Sequence, residues 1–140
     1  MKARLLGVAA LVGTIVTSSP IQAEHEVASY MTGEQLTQHC RAFLETRRTT
    51  RSSPQIYYDA ALCYGFVTGV HDAVSFEELF KLSPPELSPP LQPACLPFGV
   101  NANSLIEIVA TFLDQNPVLR TQGAYVLVRR AFIASYPCKK

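Results

Sequence analysis

Four cysteines follow an apolar leader, and this arrangement limits what the chain can fold into more than any other feature. They are Cys40, Cys63, Cys95 and Cys138. An even number of cysteines behind an export signal predicts a disulfide framework, because thiols oxidise outside the cytosol and small exported domains need covalent support. We therefore expect a stapled domain in which all four thiols are bonded.

The leader covers residues 1–23 and has the three parts of a secretory signal peptide. Lys2 and Arg4 supply the positive charge, an apolar stretch follows, and small residues precede the expected cleavage site after Ala23. The alternative is a membrane anchor, but the apolar stretch is shorter than the roughly 20 residues that a spanning helix needs. We predict export, one mature domain over residues 24–140, and no stable membrane insertion of that domain.

The mature chain is close to electrically neutral. Without the two basic residues of the leader it has ten basic and eleven acidic residues, a formal charge of −1 with His neutral. This balance provides no electrostatic footprint for nucleic acid or for an anionic membrane. Arg47, Arg48 and Arg51 lie together among Thr and Ser residues, and we interpret them as a solvated connector. The alternative, a phosphate-binding surface, normally needs more positive charge.

Apolar residues recur at helical spacing in four segments, and no segment shows sustained strand alternation. Thr32 opens the first helix with a capping box that includes Gln35. Ser53 and Pro54 are residue types favoured at a helix start, and they open the second helix. The sequence therefore predicts an all-α fold.

The third helix is predicted to run from about Asn101 until Asn116 and Pro117 stop it, and the fourth from about Thr121 to Ser135. In all four helices one face is expected to form the core. The residues of that face are Leu36, Cys40, Phe43 and Leu44; Ile56, Ala60, Cys63, Val67, Val70 and Val74; Leu105, Ile106, Ile108, Val109, Phe112 and Leu113; and Ala124, Leu127, Val128, Ala131 and Phe132.

Two glycines, Gly65 and Gly69, lie four residues apart in the second helix. Each costs about 1 kcal/mol of helix propensity. A bare backbone lets another helix approach closely, so we expect a buried helix crossing at these positions.

A proline-rich segment, Leu82 to Pro93, separates the two helix pairs and contains Leu-Ser-Pro-Pro twice. Proline is incompatible with a helix interior and favours extended polyproline geometry. We interpret the segment as a stiff spacer; the alternative is a recognition ligand for an aromatic groove. The predicted fold is a small disulfide-stapled bundle of about four main helices, arranged as two antiparallel hairpins joined by this spacer.

Helix geometry selects one of the three possible disulfide connectivities. In an antiparallel hairpin of the first two helices, Cys40 and Cys63 lie at similar depths, about 10 Å and 14 Å below the turn. Cys95 precedes the third helix and Cys138 follows the fourth, so both lie at the open end of the second hairpin. We predict the bonds Cys40–Cys63 and Cys95–Cys138.

Candidate catalytic groups are few. His39 adjoins Cys40, and His71 follows Cys63 by eight residues, so neither histidine is placed to form a Cys–His dyad. We interpret His71 and the neighbouring Asp72 as structural hydrogen-bonding groups; the alternative, metal ligation, needs further ligands at suitable spacing. The sequence has no phosphate-binding glycine loop, zinc spacing or nucleophile elbow. We expect no enzymatic activity, no cofactor and no metal.

Five motifs occur in a fixed order along the mature chain. They are Cys40, CYGFVTGVHDA at 63–73, CLPFGV at 95–100, FLDQNP at 112–117 and ASYPC at 134–138. In combination they resemble the Rap1a/Tai immunity proteins over nearly all of the mature chain. The resemblance implies a small helical periplasmic protein that binds and inhibits a peptidoglycan-cleaving amidase toxin delivered by type VI secretion. The chain departs from the family at Asn101, where members commonly have Thr, and in its longer proline-rich spacer.

The connector between the third and fourth helices is the first candidate for contact with the amidase. It covers residues 115–120. The residues expected to contact the amidase are Gln115, Asn116, Pro117, Leu119 and Arg120. Pro117 stiffens it, and Leu119 and Arg120 offer an apolar and a charged anchor. The alternative is an ordinary interhelical turn with a buried leucine.

A homodimer is also expected, from the family likeness and from the aromatic residues Tyr57, Tyr64 and Phe66 around the second helix. The rival interpretation of the whole chain is a periplasmic structural or chaperone-like module that holds proteins unrelated to toxins. An amidase gene beside this one would favour immunity, and an isolated gene would favour the rival.

Overall fold

A computed structural model describes residues 30–80 and 94–138, which are helical apart from their connections. The elements are α1 (Gly33–Thr46), α2 (Pro54–Phe80), α3 (Ala102–Gln115), a 3-10 helix (Pro117–Thr121) and α4 (Ala124–Ser135). Within these residues the only β-pairing consists of isolated bridges. The all-α prediction is confirmed. The predicted signal peptide and proline-rich spacer lie outside the described residues.

The predicted helix starts are confirmed by their capping hydrogen bonds. The amide of Gln35 donates to the Thr32 hydroxyl at 3.3 Å, and the Thr32 amide donates to the Gln35 side chain at 2.9 Å. The Ser53 hydroxyl accepts from the amide three residues later, and the Asn101 side chain from the amide two residues later. These bonds satisfy amides that would otherwise lack a partner inside the helix.

The core lies between the two helix pairs, with α1 packed most extensively on α2. The predicted inward faces of all four helices line it. Phe43, Leu44, Ile56, Ile108 and Phe112 are half-buried, and the other predicted core residues are buried. None of the helices in the two described ranges is long and apolar enough to cross a lipid bilayer.

Both predicted disulfides are present. Cys40–Cys63 joins α1 to α2 in the centre of the core, where both residues are fully buried. Cys95–Cys138 joins the segment before α3 to the segment after α4, and Cys95 is exposed. Beside this outer bond the Cys95 amide donates to the Tyr136 carbonyl at 2.9 Å. One disulfide is thus internal and the other closes the open end of the second hairpin.

The predicted helix crossing at Gly65 and Gly69 is wrong. Both glycines are exposed, and a methyl group built on either would meet no atom within 4 Å. Each lies two residues after a core residue, Cys63 or Val67, which places it about 200° around the helix. The glycines therefore belong to the outer face of α2.

The predicted start of the fourth helix is also too early. Thr121 ends the 3-10 helix that Pro117 begins, and α4 starts only after two extended residues, Gln122 and Gly123. Gly123 pairs with Thr32 in an isolated antiparallel bridge. Backbone hydrogen bonds between residues 122–124 and the residues at the start of α1 therefore hold this stretch extended, where the sequence predicted a helical turn.

A polar cluster holds α2 against α4. The Arg129 guanidinium donates to the Glu77 carboxylate at 2.6 Å and to the Tyr125 hydroxyl at 3.0 Å. Burial by itself would lower the pKa of Arg129, but the hydrogen bonds and charges of Tyr125 and Glu77 outweigh it and raise that pKa. The guanidinium therefore stays charged, and it fixes the C-terminal half of α2 on α4.

Candidate partner-binding site

The connector between α3 and α4 is a short, hydrogen-bonded structure rather than an open loop. After α3 ends at Gln115, the amide of Leu119 donates to the Asn116 carbonyl at 3.0 Å, and the Gln122 amide donates to the Leu119 carbonyl at 2.9 Å. The Asn116 side chain donates back to the Phe112 carbonyl of α3 at 2.8 Å. The Asn-Pro pair ends the helix, and these bonds hold the chain that follows.

The five predicted contact residues do not all point the same way. Gln115 and Pro117 are exposed, and Asn116 is half-buried. Leu119 is half-buried against the hydrophobic core, and the Arg120 side chain keeps only 15% of its surface exposed. The outward part of the connector is therefore its first half.

Val118, which lies in the predicted connector but is not one of its predicted anchors, is the most exposed apolar side chain of the connector. It is 85% exposed, whereas the next residue, Leu119, packs inward. The available signal was its position after Pro117, outside the apolar stripes of both α3 and α4. An exposed valine at a proline-stiffened turn is a suitable apolar anchor for a partner protein.

The Arg120 side chain folds back on the chain. Its Nε donates to the Leu113 carbonyl at 2.9 Å, and its Nη2 donates to the Asp114 carboxylate at 3.0 Å. Nη1 lies 4.0 Å from the Glu34 carboxylate of α1. Asp114 also accepts from Arg41 of α1 at 2.8 Å. Arg120 thus contributes to an ion-pair network that connects the connector, the end of α3 and α1.

The first turn of α1 supports the connector from the other side. The Gly33 amide donates to the Gln122 carbonyl at 2.8 Å. A Cβ atom on Gly33 would lie 2.8 Å from the Arg120 carbonyl oxygen and 2.9 Å from its Cα, and it would also overlap Leu127. Only glycine lets the two backbones approach this closely, so the connector is packed on α1 as well as tethered to it.

A shallow groove of about 470 Å³ begins beside the connector and follows the outer side of α3. Ile108 and Phe112 contribute apolar surface, and Thr111 and Gln115 contribute polar groups. Glu107 at its margin is bound to Arg47, one member of the predicted solvated arginine cluster. The groove enlarges the surface around Gln115 that a partner would cover.

The two histidines of the described residues, His39 and His71, have local carboxylate partners. His39 lies 3.1 Å from Asp59 of α2, and His71 lies 3.0 Å from its neighbour Asp72. Among the residues that the structure describes, no group of three or more His, Cys, Asp or Glu residues could hold a metal ion. All four cysteines are in disulfides. The four thiols and both described histidines thus have partners within the chain.

The outer face of α2 is the second exposed apolar surface. Tyr57, Tyr58, Tyr64 and Phe76 are each between 47% and 60% exposed, and both glycines of α2 lie among them. The Tyr64 ring also stacks on Phe43 of α1, with centroids 6.3 Å apart. Phe66, the third aromatic residue predicted for this face, is instead half-buried against the core.

The chain matches the family model of the Rap1a immunity proteins over residues 32–138. The matched region begins at the N-cap of α1 and ends at the last cysteine, so it includes every helix, both disulfides and the connector. No curated protein and no solved structure matches the chain.

Proposed function

The chain belongs to the Rap1a immunity protein family, and on that premise we propose that it inhibits a cognate peptidoglycan amidase delivered by type VI secretion. It performs no chemistry in this role: it occludes the toxin's cleft and so protects the producing cell. The observation that carries the proposal is the connector, an exposed apolar tip on a backbone held by hydrogen bonds. A rigid inhibitor binds more tightly because its ordering cost is met before association.

The periplasm is the proposed site of action. The two disulfides support it, because such bonds persist in oxidising compartments. A signal peptide over residues 1–23 and a mature domain over 24–140, both inferred from the sequence, agree with export. The substrate of the amidase, peptidoglycan, lies in the same compartment.

Val118 is the proposed anchor that enters the amidase cleft. Gln115 and Pro117 flank it on the exposed side, and Leu119 supports it from the core. Apolar residues that become fully desolvated at the centre of an interface contribute most of the binding energy. The alternative for the connector, an ordinary turn with a buried leucine, accounts for Leu119 but not for the exposed Val118.

Coexpression tests the function directly. Cells that produce a periplasm-directed amidase encoded beside this gene are expected to survive when they also produce the full chain. They are expected to lyse when the chain lacks residues 1–23, because it then stays in the reducing cytosol. Viability and the cell-wall fragments released are the measurements. If cells that produce the full chain lyse with every neighbouring amidase, the result contradicts the immunity function and favours the chaperone-like module.

Two variants then locate the contact within the same assay. Val118→Asp places a charge at the proposed anchor and is expected to abolish protection. Phe98→Asp is the matched control: Phe98 is also an exposed apolar residue, but it lies beyond the other end of α3, about 20 Å away. Protection lost with Phe98→Asp and kept with Val118→Asp would place the contact at that end instead.

We also propose that the outer face of α2 forms an isologous homodimer. Residues 60–70 of this long helix contain no charged side chain, and the outward half of that stretch lacks a covering element in the described residues. Glycines at its centre let two copies of α2 approach closely. Dimerisation would bury exposed surface of three tyrosines and a phenylalanine.

Light scattering on the mature chain at micromolar concentration checks the dimer. The expected mass is twice that of the monomer. Tyr58→Lys, which adds charge to the proposed interface, should halve that mass. Tyr30→Lys, an equally drastic change at an exposed tyrosine before α1, should leave it unchanged. A monomeric mass for the unaltered chain rejects this proposal.

A further inference from the structure

We propose that Arg120 and Asp114 are positioning residues, which hold the connector in its binding conformation without touching the partner. This inference rests on the proposed function, because the conformation that they hold is that of the inhibitory element. It differs from the role that the sequence suggested for Arg120, a charged anchor in direct contact with the amidase.

The orientation of the Arg120 side chain is the first argument. Two of its donor groups are occupied inside the chain, one by the Leu113 carbonyl and one by the Asp114 carboxylate. Leu113 lies in the last turn of α3, where carbonyl groups lack helical partners, and a guanidinium there satisfies one of them. With 15% of its side chain exposed, Arg120 would have to leave these acceptors to reach a partner.

The second argument is that Asp114 connects the connector to α1. Its carboxylate accepts from Arg120 at 3.0 Å and from Arg41 of α1 at 2.8 Å. Isolated surface ion pairs contribute little, but a carboxylate shared by two guanidinium groups forms a network with defined geometry. Glu34 extends the network, because it lies 4.0 Å from Arg120. α1 and α3 thereby fix the end of the connector from two directions.

Val118 depends on this network through the backbone. It lies two residues before Arg120, in the same 3-10 helix, whose last hydrogen bond joins Gln122 to Leu119. If Arg120 is released, the second half of the connector loses its side-chain attachment to α3, and Val118 becomes more mobile although the Asn116 and Gln122 bonds remain. Binding would then have to order Val118, and the free-energy cost of this ordering would weaken the affinity.

A double-mutant cycle between Arg120→Ala and Asp114→Ala tests the inference. The probe is the amidase against which the full chain protects cells, and the affinity is measured by calorimetry. Each single replacement is expected to weaken binding by about tenfold, and the double replacement by no more than the stronger single one, because both remove the same clamp. Additive losses would mean that the two side chains contact the amidase independently, and they would overturn the inference.

Hydrogen exchange in the free protein provides a second readout that needs no partner. The amides of Leu119 and Gln122 are expected to exchange faster in both single variants, while the amides of Cys63 and Val67 in α2 keep their rates. Unchanged exchange at the connector would refute the clamp even if binding fell. If the variants exchange faster but the unaltered chain binds no amidase, the clamp is supported and the proposed function is contradicted. Failure of the clamp and failure of the proposed function are therefore distinguishable.

Discussion

Replacement of both Cys40 and Cys63 by alanine is expected to lower the free energy of unfolding by about 4 to 5 kcal/mol. Roughly 3 kcal/mol of this comes from the lost loop constraint, over a sequence separation of 23. The rest comes from the cavity that two fully buried sulfur atoms leave between α1 and α2. Since a domain of this size is stable by about 5 to 15 kcal/mol, the loss is a large share of the total, and urea should unfold this variant at a clearly lower concentration than the unaltered chain.

The matched control is the pair of replacements Cys95→Ala and Cys138→Ala. Loop entropy alone makes this outer bond the more stabilising by about 0.5 kcal/mol, because its sequence separation is 43. We expect the reverse order, since Cys95 is exposed and its removal leaves no cavity in the core. A larger loss for the outer pair would show that loop length, and not burial, determines the contribution of each bond.

Replacement of Gly33 by alanine is expected to destabilise the domain by about 1 to 3 kcal/mol, although alanine is the better helix former. The added methyl group would press on the backbone of Arg120 and on the side chain of Leu127. A backbone contact is costly to relieve, because the connector and α1 must separate. Thermal unfolding followed by circular dichroism provides the measurement.

Gly65→Ala is the corresponding control within another helix. Its methyl group would enter open space, and the variant, measured at a concentration where the chain is monomeric, should be neutral or more stable by up to about 1 kcal/mol. Equal melting temperatures for Gly33→Ala and the unaltered chain would mean that the connector shifts away from α1 at little cost. The close approach would then have no energetic significance.

The sequence was sufficient for features that depend on local spacing. The apolar stripes identified the inward residues of all four helices, and the depths of the cysteines along the helices identified both disulfides. Helical spacing alone separates Gly65 from Cys63 by more than half a turn, so the outward position of the glycines also follows from the sequence. Local periodicity is therefore sufficient to predict most of the fold.

The details of the connector could not be predicted in the same way. The inward turn of Arg120 depends on where α1 and the end of α3 lie in three dimensions, as does the crowding around Gly33. A charged residue in a connector is read from sequence as exposed, since nothing local reveals a distant carboxylate. Val118 was not predicted as an anchor for the opposite reason: its candidacy arises only from its exposure among the described residues.

The pairing of the cysteines has a consequence for biogenesis. An exported chain emerges N-terminus first, so Cys40 and Cys63 reach the oxidising compartment before Cys95 and Cys138. The native bonds join consecutive cysteines, and oxidation in order of emergence therefore yields them without a disulfide isomerase. On the proposed export route, the α1–α2 hairpin would be covalently complete before Cys95 and Cys138 arrive, and the second hairpin would then mature on a finished template.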